Sequence, residues 1–177
     1  MPLYAEGDIF RSGAEVIIHG CNARGKFGRG FAEALKRQHP EAHRAYIDAH
    51  EKTGLILGSV IWVQCGPRLV GHCITQPTYG RDGALHISYD ALRSCLETVN
   101  SAARHGVPGT LAAAGFKRVW MPMIGADLGG GDWSTISRII DEELRDVTAV
   151  VHYLPKDRSR IASIESSVVD RTANHRI

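Results

Sequence analysis

Two segments of this chain constrain its fold more than any others. Each runs from an apolar strand through a glycine loop into a helix start. The first is Val16-Ile-Ile-His-Gly-Cys-Asn-Ala-Arg-Gly-Lys-Phe-Gly-Arg-Gly-Phe31, with spaced glycines at Gly25, Gly28 and Gly30. The second is Met121-Pro-Met-Ile-Gly-Ala-Asp-Leu-Gly-Gly-Gly-Asp-Trp133, with four glycines in the seven residues 125–131. Such density is costly in chain entropy unless the backbone needs positive φ or close approach to a ligand. Free N–H groups at the helix start that follows attract an anion. The first loop lacks the Gly-Lys-Ser/Thr ending of a P-loop, and its glycines do not have the Rossmann spacing. In a parallel sheet both loops would lie at the carboxyl edge, where open α/β sheets bind ligands. They would grip a diphosphate from two sides.

The remaining pattern alternates short apolar runs with helical periods. Strands are expected at Val16–Cys21, Val60–Gln64, Leu69–Ile74, Val119–Ile124 and Ala149–Leu154, with Leu3–Ala5 as an edge strand. Helices are expected at Gly30–Gln38, at Glu41–Thr53 after Pro40, after a Ser88 cap with Leu92, Cys95, Leu96 and Val99 inward, and after an Asp132 cap. Strands alternating with helices imply a three-layer α/β/α architecture around a mixed, mostly parallel sheet. His105–Lys117 reads as a loop insertion. Residues 1–155 form one domain in this reading, and 156–177 a polar tail held by its own body or by a second copy.

Composition narrows the function classes. A formal net charge of +2 does not suit a protein that coats nucleic acid. The basic cluster Arg24, Lys26, Arg29, Lys36 and Arg37 reads as a solvated helix face, with a patch attracting a phosphorylated ligand as the other reading. No apolar run approaches the ~20 residues of a membrane span. The opening residues lack the basic start and apolar stretch of a signal peptide, so a cytoplasmic location is expected. Four cysteines, none in a C-x-x-C pair, are expected to be reduced thiols. No His/Cys/Asp group has metal-ligand spacing, so neither a metal nor a cofactor is expected.

Taken in order, Gly7-Asp-Ile-Phe10, Ile18-His-Gly-Cys-Asn22, Gly28-Arg-Gly-Phe31, Pro122-Met-Ile-Gly125 and Gly129-Gly-Gly-Asp-Trp133 resemble a macrodomain over roughly residues 3–154. The resemblance is to the branch holding ADP-ribose 1''-phosphate phosphatases, terminal ADP-ribose protein glycohydrolases and macrodomains that remove ADP-ribose from DNA. It implies ADP-ribose as ligand. Asp8 would accept from the adenine amino group and Ile9 would contact the ring, with Tyr153 flanking it. Asn22 would meet the distal ribose. Gly28, Gly30 and Phe31 would line the first loop; Ile124, Gly125, Ala126, Asp127, Leu128, Gly129 and Gly130 would line the second.

Departures from the family bear on chemistry. Ribosyl hydrolases of this fold carry a carboxylate after the first glycines, where this chain has Phe31-Ala32. The terminal glycohydrolases use a lysine on the segment matching Ile74–Pro77, where this chain has Gln76, which cannot form an imine. The remaining catalytic candidates are His19, Asn22 and Asp127. His19 reads equally as a proton carrier or a core histidine, and Asp127 as a water-orienting group or a turn carboxylate; Asp132 reads as a cap. Thr75–Gly83 would wall the distal ribose, with Tyr79 and Arg81 near the leaving group. The function expected is hydrolysis at the distal ribose of an ADP-ribosyl ester or of ADP-ribose 1''-phosphate. A non-catalytic reader of ADP-ribose and a DNA ADP-ribosyl glycohydrolase antitoxin are the alternatives. The partner is ADP-ribose or ADP-ribosylated protein, with no membrane, with nucleic acid disfavoured, and with the oligomeric state left open.

Overall fold

A computed structural model describes residues 1–80 and 83–164. Its sheet holds six strands: β1 (Leu3–Glu6), β2 (Val16–Asn22), β3 (Val60–Cys65), β4 (Arg68–Gln76), β5 (Arg118–Pro122) and β6 (Thr148–Tyr153). Their spatial order is β1-β6-β5-β2-β4-β3. Every neighbouring pair is parallel except the β3–β4 hairpin. Helices α1 (Gly30–Gln38), α2 (Pro40–Thr53), α3 (Tyr89–His105) and α4 (Trp133–Glu143) supply the covering layers. The mixed, mostly parallel α/β/α architecture expected from the sequence is the one observed. No helix among the described residues is long and apolar enough to cross a membrane.

The pleat divides β2 and β4 between two cores. Val16 and Ile18 on β2 and Leu69 and Cys73 on β4 face α3 and α4 with Leu92, Leu96, Val99, Ile136 and Ile140. Cys21 on β2 and Val70 and Ile74 on β4 face α1 and α2 with Leu35, Ala42 and Tyr46. Successive strand residues point to opposite faces, so strands covered on both sides must be apolar throughout. That is why these two strands read as continuous apolar runs. The helix starts are capped as the sequence suggests: Ser88 Oγ accepts from Ala91 N–H at 3.2 Å, and Asp132 accepts from Thr135 N–H at 2.8 Å.

Three boundaries differ from the sequence reading. β5 stops at Pro122, so Met123 and Ile124 already belong to the second loop, because proline offers no N–H to continue the ladder. Segment 106–117 is irregular but sends Val107 and Ala112 into the core. After β6 the chain makes a 3-10 turn at Pro155–Asp157 and is helical over 158–164, with Ile161 buried in the core. Arg158 forms a two-pronged pair with Glu6 at 2.6 and 2.8 Å. The rest of the 156–177 segment, from 165 on, lies outside the described residues, as does Arg81.

Candidate functional site

The carboxyl ends of β1, β2, β5 and β6 share one edge of the sheet, and a cavity of about 920 Å³ opens there. β1 delivers Asp8 and Ile9, β2 delivers the first glycine loop, β5 the second, and β6 ends at Tyr153. All four segments line this cavity, joined by Gln76 at the end of β4.

The first loop is braced by Asn22. Its Oδ1 accepts from Arg24 N–H at 3.0 Å and Lys26 N–H at 3.1 Å, and its Nδ2 donates to the Lys26 carbonyl at 2.6 Å. Tyr46, buried beneath, donates its hydroxyl to the Asn22 carbonyl at 2.5 Å. Both ends of the amide therefore hold the loop, and one Nδ2 proton is left to meet a ligand. The loop ends at α1, whose N-cap Arg29 makes no side-chain capping bond. The first-turn N–H groups are thus left to whatever enters the cavity. Gly28 has neither a positive φ nor any atom within 4 Å of where a Cβ would stand, so the fold itself does not require glycine there. A ligand's close approach would.

The second loop is shaped by its own backbone. Gly131 N–H donates to Gly125 C=O at 2.8 Å and Gly130 N–H to Asp127 C=O at 3.1 Å. Among the described residues, no internal bond takes the N–H groups of Gly125, Asp127, Leu128 and Gly129. Gly130 is a glycine for steric reasons: its φ is +66°, and a Cβ would stand 2.4 Å from the Ala84 carbonyl oxygen. Asp8 lines the same cavity, with one carboxylate oxygen accepting Phe10 N–H at 2.9 Å and the other 3.8 Å from the Arg11 guanidinium. Phe10 stacks on Phe31 at 5.3 Å, which ties the Asp8 turn to the first loop.

The three catalytic candidates each have a different partner. His19 is 1% exposed, and its Nε2 is bonded to His72 Nδ1 at 2.7 Å. Burial first, then the neighbouring His72, hold its pKa well below the ordinary histidine range. Asn22 serves the loop. Asp127 is the accessible one, with a side chain 68% exposed and a carboxylate 3.1 Å from the Lys156 ammonium. All three line the cavity.

A family model for the macro domain matches residues 18–140. The chain belongs to the macro domain family. It is 34% identical over 106 residues to an ADP-ribose 1''-phosphate phosphatase of Candida glabrata, across 58% of this chain and 49% of that one. It is 20% identical over 151 residues to a DNA ADP-ribosyl glycohydrolase of Thermus aquaticus, across 83% of this chain and 39% of that one. The chain thus spans about half the length of the phosphatase relative and less than half that of the glycohydrolase relative. A macrodomain protein structure from Streptomyces coelicolor superposes with a TM-score of 0.67 at 26% identity, covering 86% of this chain and 99% of that one.

Lys26, Arg29 and Arg37 line this macro domain's cavity, so part of the basic cluster takes the second of its two sequence readings. Other groups around the cavity escape sequence reasoning. Lys156 and Arg160 reach it from the segment after β6, with Arg160 donating to the Ala126 carbonyl at 3.1 Å. Nothing in a polar C-terminal stretch signals that return. The pairing His19–His72 comes from β2 and β4, which lie 53 positions apart in the chain.

Proposed function

We propose that this cavity binds ADP-ribose and that the chain hydrolyses a bond at its distal ribose, in an ADP-ribosyl ester or in ADP-ribose 1''-phosphate. The observation that carries the reading is the uncapped start of α1 and the unengaged N–H groups of the second loop lining one cavity. Such donors suit a diphosphate, and they cost no reorganisation when charge develops on a phosphate or carbonyl oxygen. Asp8, Ile9 and Tyr153 take the adenine, while Asn22 and Gln76 flank the distal ribose. The names of the matched relatives support ADP-ribosyl chemistry.

In this reading a water is the nucleophile. Asp127 takes its proton, because it is the accessible acid–base group of the three candidates. His19, with Nε2 committed to His72, forms the floor. Calorimetry with ADP-ribose and AMP, followed by product analysis on the ester, the 1''-phosphate and ADP-ribosylated DNA, tests the reading. ADP-ribose should bind at micromolar affinity and AMP much more weakly, with turnover on the ester or the 1''-phosphate. Binding without turnover on any substrate would make the protein a reader, an outcome to which Gln76 in the lysine position already points. Turnover confined to DNA would assign the glycohydrolase function instead.

A further inference from the structure

The floor of the cavity holds a cluster that the ligand loops do not use. His19 and His72 sit directly opposite each other in the parallel register of β2 and β4. Cys21 lies two residues beyond His19, on the same face of the sheet. The donor atoms form a triangle: His19 Nε2 to His72 Nδ1 is 2.7 Å, Cys21 Sγ to His19 Nε2 is 3.6 Å, and Cys21 Sγ to His72 Nδ1 is 3.8 Å. All three side chains are at least 95% buried.

We propose that His19 Nε2, Cys21 Sγ and His72 Nδ1 bind a zinc ion. A tetrahedral zinc with bonds of about 2.0–2.1 Å to nitrogen and 2.3 Å to sulfur places N–N pairs about 3.3 Å apart and N–S pairs about 3.5 Å apart. The two sulfur edges of the triangle are close to that length, but Cys21 Sγ also lies 3.7 Å from His19 Nδ1, beside the ring, so the His19 ring turns to aim Nε2 at the ion. The N–N edge opens by about 0.6 Å as the ion replaces the hydrogen bond between the imidazoles. His72 is oriented for the task. Its Nε2 lies 2.9 Å from the Ala42 carbonyl, which accepts that N–H and leaves the Nδ1 lone pair for the metal. A carbonyl fixing the ring and tautomer in this way is the usual support of a metal-bound histidine. Phe27 and Tyr46 pack against the rings at 5.6–5.8 Å and supply a dry shell. His19 and Cys21 form part of the cavity wall, which gives the ion a way in.

Binding exchanges the Cys21 S–H bond for an S–Zn bond and releases that proton to solvent. The His19 proton moves from Nε2 to Nδ1. Three protein donors leave the fourth tetrahedral position to a small exogenous ligand. A second group, His39, Glu41 and Cys65, also gathers donors, but His39 Nε2 accepts from Arg68 at 3.4 Å, which puts the ring proton on Nδ1, 3.5 Å from the Glu41 carboxylate.

The test is metal titration of the full chain after chelation, with cobalt(II) as the spectroscopic probe and zinc as the competitor. The expected result is one equivalent bound, with a thiolate-to-cobalt charge-transfer band and tetrahedral visible bands that zinc abolishes. Cys21→Ser should remove the charge-transfer band while Cys65→Ser retains it. Circular dichroism confirms that each variant is folded. A wild type that retains no cobalt or zinc overturns the proposal without reference to any variant. So does a band that survives Cys21→Ser and disappears in Cys65→Ser, which would place the ion at His39–Glu41–Cys65.

Discussion

Asp127 in the second glycine loop and Lys156 beyond β6 form an ion pair at 3.1 Å at the edge of the cavity. Both side chains are more than half exposed, at 68% and 57%, so the pair itself adds little to folding stability. Its weight falls on the ligand. A carboxylate in a diphosphate loop repels the ligand unless a cation offsets it. Lys156→Ala should therefore weaken ADP-ribose binding several-fold with little change in Tm. The same substitution in an Asp127→Asn background should cost markedly less. Additive losses in this double-mutant cycle would separate the pair from ligand binding.

Asp127→Asn also tests the chemistry. If Asp127 takes the proton from water, turnover should fall about 10²–10⁴-fold while ADP-ribose still binds. Equal turnover in variant and wild type would move the base elsewhere. Reduction with borohydride during turnover should trap no lysyl adduct, since Gln76 occupies that wall.

Asp8 is best probed by Asp8→Asn. The amide can keep the bond from Phe10 N–H, so the turn should survive. Its NH₂ would then confront the adenine amino group, donor against donor. ADP-ribose affinity should fall by about 1–3 kcal/mol, the range for a charged hydrogen bond. A smaller loss for the hypoxanthine analogue, whose six-position oxygen accepts, would confirm the contact. Unchanged ADP-ribose affinity would place adenine elsewhere.

The glycines separate ligand demand from fold demand. Gly28→Ala meets no protein atom within 4 Å, so Tm should hold while ADP-ribose affinity drops. Gly130→Ala puts a side chain into a φ of +66° and against the Ala84 carbonyl, so it should lower both. Thermal melts and calorimetry on the two variants decide it. A Gly28→Ala protein with intact affinity would remove the first loop from the binding site.

Metal-free protein should lose stability in acid. Burial lowers the His72 pKa from an ordinary 6.5 to about 4. Between those values the unfolded chain binds the proton that the folded chain refuses, so stability rises with pH across that window. It is fully present above about pH 6.5 and declines as pH falls toward 4, by about 3 kcal/mol. Urea midpoints measured from pH 4 to 7 give the slope, and His72→Gln should reduce it, with His19, held low by the same burial, supplying the remainder. A wild-type midpoint independent of pH in this range would show that His72 is solvated.

Local sequence determined most of the elements, though not the end of β5 or the helix over 158–164. The apolar runs of β2 and β4 are legible because both faces of those strands are covered. The caps at Ser88 and Asp132 are legible because capping is a contact between near neighbours. The glycine loops announce a site for the same reason, since unusual backbone geometry must be written in the residues that adopt it. What only the tertiary structure decided are relations across the sheet. The register of β2 against β4 brings His72 to the His19–Cys21 pair, although no spacing along the chain connects it to them. The turn after Tyr153 returns Lys156 and Arg160 to the second loop from a stretch that reads as a polar tail. Strand order and chain reversal bring these groups within a few ångströms, and a short-range sequence pattern carries no record of either.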